Sequence, residues 1–206
     1  MSDETAGDLN APVETTRAQD WWRDLDKRDR AAKARLKRAD FDAAVIDEAT
    51  LRLFRYLGRR RRHDLSRVAA LAMVLAAVRQ DTGRNKTFAR QIGFSRMPTD
   101  PQRPEADNKP VLSVLRFKRL MSTANSPDPT SEDLAELARQ FRRAVDLLGG
   151  AANVEDIKSV VLGWHRQETR RDFAFEYYGA GIASPQRGAT SDPEASSHSS
   201  EHLVSA

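Results

Sequence analysis

Arginine is the residue type whose placement in this chain carries the strongest chemical signal. Arg59, Arg60, Arg61 and Arg62 follow Gly58 directly, and Arg52 and Arg55 lie just upstream. A guanidinium forks onto pairs of phosphate oxygens, and each neutralised phosphate releases counterions. A second group lies in KPVLSVLRFKRLM. At about 100° per residue, Val114, Phe117 and Met121 share one helix face, while Lys109, Arg116 and Arg119 gather almost opposite with Leu112 between them. Leu112 and Leu115 then flank a basic stripe instead of filling a core. Such a surface suits a partly apolar cover, either a protein neighbour or a nucleotide's sugar and base. Arg139, Arg142 and Arg143, at i, i+3 and i+4, form another basic face opposite a Leu/Phe stripe. Arg166, Arg170 and Arg171 supply a further one. None of these segments carries a base-reading motif, so contact with the nucleic-acid backbone is the expected mode.

Catalytic chemistry finds little support. The chain has no cysteine, which excludes disulfides, thiolate nucleophiles and cysteine-ligated zinc. Its histidines, His63, His165, His198 and His202, are scattered. HExxH, a His/Asp metal cluster, a glycine-elbow serine and a GK[ST] phosphate loop are all missing from the sequence. No enzyme activity, cofactor or metal is expected. Phe173, Phe175, Tyr177 and Tyr178 sit near arginines, as base-stacking residues do. Aromatics at helical spacing more often pack a core, and these are read as packing residues. Trp21 and Trp22 are adjacent, so only one is expected to be fully buried.

The elements that must hold these arginines are helical. No period-two alternation appears, so no sheet is expected. The pattern predicts a helix over 16–38 and a second, capped by Asp40 and ended by Gly58. A third, capped by Asp64, carries VAALAMVLAAV and should be buried nearly all round; a short one follows Thr87. Residues 97–109, rich in proline, read as a linker or long loop. Beyond it lie a helix over 111–123 with Pro110 at its start, one capped by Thr130 or Ser131, one capped by Asn153, and a last one over 166–178. The fold class is therefore all-α: two small helical bundles in series, 16–96 and 110–178, between a disordered acidic tail at 1–15 and a disordered tail at 179–206. The formal net charge of +4 hides the bias of this core, because residues 1–20 carry −4 and residues 179–206 carry −2, leaving +10 on the span between. That is the footprint of a polyanion binder. The longest apolar run is too short to span a bilayer, and the acidic, polar start is unlike a secretory signal, so a cytoplasmic protein with no membrane partner is expected.

Four segments occur together in order: WWRDL, PVLSVLRFKRLM, FRRAVDLLGG with NVEDI after it, and DFAFEYY. Over roughly residues 21–178 the chain resembles the small subunit of the type I-E CRISPR Cascade complex, the CasB family. The resemblance implies a non-enzymatic protein of two helical bundles, present as a pair of copies against the other Cascade subunits. There it stabilises the assembly of crRNA with its target and holds the displaced single-stranded target DNA in a basic groove. Arg116, Lys118 and Arg119 of LRFKRL and Arg142 and Arg143 of FRRAV match the segments that carry this groove. Arg59 to Arg62 carry over less closely, since this turn is unusually arginine-rich. Two other readings stay open: a free-standing DNA-binding regulator, and a helical adaptor without nucleic-acid contact. A helix-turn-helix regulator needs a short turn before a polar reading helix, and here the helix before the linker is brief and the linker long.

Overall fold

The computed structural model describes residues 13–59, 64–83 and 86–180. Within them the chain forms α1 (Val13–Lys27), α2 (Arg30–Arg38), α3 (Phe41–Ile46), α4 (Glu48–Tyr56), α5 (Asp64–Ala77), α6 (Phe88–Ile92), α7 (Val114–Ser122), α8 (Ser131–Leu147), α9 (Val154–Gly163) and α10 (Gln167–Tyr177). The helical class expected from the sequence is what is found.

Aspartates divide two of the expected helices. The segment over 16–38 breaks at Asp29, whose carboxylate accepts from the Ala32 N–H at 3.0 Å and pairs with Arg52. Those two partners, the Ala32 amide first, hold the Asp29 carboxyl below its ordinary range. Asp47 divides α3 from α4 in the same way, accepting from the Ala49 N–H at 2.9 Å and from the Arg35 guanidinium at 3.0 and 3.2 Å. A short acidic side chain competes with the helix for its own backbone donors, so it starts a new helix rather than continuing the old one. The caps at Asp40, Thr87, Thr130 and Asn153 form as expected. Other starts differ: α1 begins at Val13, inside the span read as a tail, α5 takes in Asp64 as its first residue, and α7 begins at Val114, so Pro110 lies ahead of its first turn.

Helix α5 is the axis of the molecule. Every residue from Val68 to Val78 is buried. It packs on α2, α3 and α4 and also on α8 and α9, so elements from both sides of the 97–109 segment share one hydrophobic core. Trp21 and Trp22 are both buried, against expectation. Helix α1 lies between two sets of neighbours, and each indole N–H finds a carbonyl: Ala49 O at 3.0 Å and Val78 O at 3.3 Å. A parallel pairing of two residues each, β1 (Gln80–Asp81) with β2 (Ala151–Ala152), was not expected. It is too short to leave a period in the sequence. The turns around it rest on Gly149 and Gly150, both at positive φ, where a side chain would be strained.

The 97–109 segment is pinned at its base. Asn108 is buried; its Oδ1 accepts from Ser95 Oγ at 2.8 Å and from the Arg96 N–H at 3.2 Å, and its Nδ2 donates to Arg96 O at 3.0 Å. Arg96 also pairs with Glu105 and Asp107. The segment therefore leaves the surface and returns beside its own starting point.

Candidate nucleic-acid interface

Helix α7 is fixed at both ends and along its inner face. Tyr177 Oη donates to Leu112 O at 2.6 Å just ahead of it, and Trp164 Nε1 donates to Thr123 O at 2.8 Å just after it. Between them Phe117 stacks on Tyr177, ring centroids 3.7 Å apart. With Val114, Phe117 and Leu120 buried, the helix period turns Arg116 and Arg119 outward. Helix α8 runs alongside, burying Leu134, Leu137, Phe141 and Val145 and turning Arg143 and Asp146 to solvent.

Arg116 and Arg119 from α7 meet Gln140, Arg143, Asp146 and Leu147 from α8 across an open cleft of about 350 Å³ floored by Leu112. Among the described residues, none of the three arginine side chains has an ion-pair partner, so all three guanidiniums are available to an occupant. Leu115, 76% exposed, stands beside the cleft, as its place on the basic stripe predicts. Leu112 does not: it is buried, because it precedes the helix and its N–H donates to Ile92 O at 2.9 Å. Residues 111–113 are not helical, so the 100° periodicity of α7 does not extend to Leu112.

The other expected site residues separate. Arg142, adjacent to Arg143, turns away from the cleft and donates to Lys37 O at the end of α2. Lys118 is exposed and outside the cleft lining. Arg139 pairs with Glu136 at 3.2 Å and borders a neighbouring hollow that also contains Glu132 and Asp133. Arg59 lies elsewhere, 3.9 Å from Asp64, lining a hollow of about 260 Å³ with Lys158 and Arg166. Arg60, Arg61 and Arg62 lie outside the described residues, as do His63, His198 and His202. Gln140, Asp146 and Leu147 escaped the sequence reading. Asp146 and Leu147 stand at i+3 and i+4 from Arg143, the spacing that would have found them. Phe173 and Tyr177 are core residues, whereas Phe175 is 52% exposed. Burial, then the nearby Arg67 and Arg166, hold the His165 imidazole below its ordinary range. No helix of the described residues is long and apolar enough to cross a membrane.

The family model for the CRISPR-associated protein Cse2 matches residues 32–178. The chain belongs to the Cse2 family. As a Cse2 protein it is a non-catalytic subunit of the CRISPR Cascade complex. The match takes in every helix from α3 to α10 and both walls of the arginine cleft. The crystal structure of CasB from Thermus thermophilus superposes on this Cse2 chain with a TM-score of 0.52 and 20% identity, over 80% of this chain and 97% of that one. At that identity the likeness establishes a common fold. No curated protein matches the chain.

Proposed function

We propose that this Cse2 chain holds the displaced single strand of target DNA in the α7–α8 cleft, within an assembly of other Cascade subunits, crRNA and a second copy of itself. One observation carries the reading: Arg116, Arg119 and Arg143, from two helices, converge on one open cleft and form no ion pair within the described part of the chain. Opening a DNA duplex against a guide RNA is a near-balanced exchange of base pairs. A groove that grips the displaced strand by its phosphates lowers the free energy of the open state and slows re-pairing. Exposed Leu115 beside the cleft suits a neighbouring subunit or the sugar face of the strand.

Three phosphate contacts to a single strand give a slope of about −2 in log K against log salt. Binding of the full chain to an oligo(dT) 20-mer should therefore weaken about twentyfold between roughly 50 and 200 mM salt. The triple variant Arg116→Glu, Arg119→Glu, Arg143→Glu should lose that binding while keeping its helical circular dichroism. Unchanged binding by the folded variant would instead favour the adaptor reading, in which these arginines face protein.

A further inference from the structure

One group in the cleft is not explained by phosphate binding. Asp146 puts a carboxylate among three arginines, where it opposes an anion. It also lies one residue from the C-terminus of α8, where the helix dipole disfavours a negative charge. Neither cost is offset within the described chain: Asp146 forms no ion pair and no side-chain hydrogen bond there, although Arg116, Arg119 and Arg143 line the same cleft. A carboxylate left open beside unpaired guanidiniums presents acceptors and donors side by side. Leu147, 43% exposed, adds an apolar edge next to it. The cleft volume of about 350 Å³ accommodates one nucleotide.

We infer that the α7–α8 cleft takes one unstacked nucleotide of the bound strand, with its own and the flanking phosphates on the arginines and its base against Leu147, and that Asp146 selects guanine. Guanine offers N1–H and N2–H on one edge, a donor pair that a single carboxylate accepts in parallel. Thymine offers one N–H between two carbonyls, which the carboxylate repels. Adenine and cytosine each bring an amino group without the second adjacent donor. Arginine planes also stack on bases, so a guanidinium whose edge is bonded to phosphate can cover the ring with its face. The strand is still held mainly through its phosphates, and the base preference is a modest bias superimposed on that.

This inference rests on the strand-holding reading, and one titration series separates the two. The full chain is titrated with oligo(dT) 20-mers in which every fourth position is dT, dG or deoxyinosine, a spacing that prevents guanine quadruplexes. The dG oligomer should bind about fivefold tighter than oligo(dT), the low end of what a bidentate pair discriminates. Deoxyinosine, lacking the 2-amino group, should fall between them. Asp146→Ala should bring all three within twofold, with oligo(dT) binding tighter because the opposing carboxylate is gone. Equal binding of the dG and dT oligomers by the unaltered chain overturns the inference, as does a dG preference that survives in Asp146→Ala. In either case salt-steep oligo(dT) binding leaves the strand-holding reading standing. If oligo(dT) binding is absent or independent of salt, both fall.

Discussion

Arg142 and Arg143 are neighbours in the chain and part company in space. One residue along a helix is a rotation of about 100°, so consecutive side chains cannot serve one surface. Arg143 faces the cleft, while Arg142 is half-buried and gives its N–H to the Lys37 carbonyl, one of the acceptors that the end of α2 leaves without a helical partner. The two should therefore fail in opposite ways. Arg142→Ala removes a charge-assisted hydrogen bond and should cost about 1–2 kcal/mol of stability, with single-strand affinity nearly unchanged. Arg143→Ala should leave stability within about 0.5 kcal/mol and lower the magnitude of the salt slope by about 0.7. Denaturant melts and salt titrations of the two variants check the pair. Equal effects of both on binding would mean that Arg142 leaves Lys37 when the strand arrives. Sequence alone placed both on a basic face. It could not divide them, because the acceptor of Arg142 lies over a hundred residues away.

At the scale of elements, what the sequence displayed was local, and what it concealed was contact between distant segments. Caps at Asp40, Thr87, Thr130 and Asn153 were legible because each is a side chain bonding its own next turn. Asp29 and Asp47 are the same device, hidden inside continuous helical patterns. The meeting of α6 with α10 left no local mark. Gly93, just after α6, lies so close to the end of α10 that an added Cβ would stand 2.2 Å from Tyr177 O and 2.8 Å from Ala89 O. Phe94 N–H donates to that same Tyr177 carbonyl at 2.7 Å, and Tyr177 in turn anchors the approach to α7. Gly93→Ala must push these backbones apart. It should destabilise the chain by about 2–3 kcal/mol, as overpacking of a tight interior does. Because Tyr177 positions α7, single-strand affinity should fall with it even well below the melting temperature. A thermal melt paired with an oligo(dT) titration reads both effects, and a loss of stability with binding intact would show that α7 holds its place without Tyr177.

The whole molecule is organised around one helix that solvent does not reach beyond its first turn. The run VAALAMVLAAV announced a buried helix, and the +10 charge of residues 21–178 announced a polyanion partner. The sequence did not reveal which elements cover that helix, because an apolar face has no address. Helices α8 and α9, drawn from beyond the 97–109 segment, close over α5 alongside α2, α3 and α4. Removing either group would expose a row of side chains that are fully buried in the intact chain, including Val68, Leu71, Val74 and Leu75. At about 1.5–3 kcal/mol for each large apolar side chain taken from water, that exposure is comparable to the entire stability of a domain. The two halves should therefore melt together. Calorimetry on the full chain should give a single transition whose calorimetric and van't Hoff enthalpies agree. A proteolytic cut within 98–104, a stretch that the Arg96 and Asn108 contacts fasten at its base, should leave the pieces associated, because the α5 interface does not depend on that peptide link. Two separated transitions, or dissociation of the nicked pieces in dilute buffer, would show that the shared core is weaker than its burial implies. The cleft would then be set by the elements after the cut alone, since both of its walls, and the Trp164 and Tyr177 that fix α7, lie on one side of it.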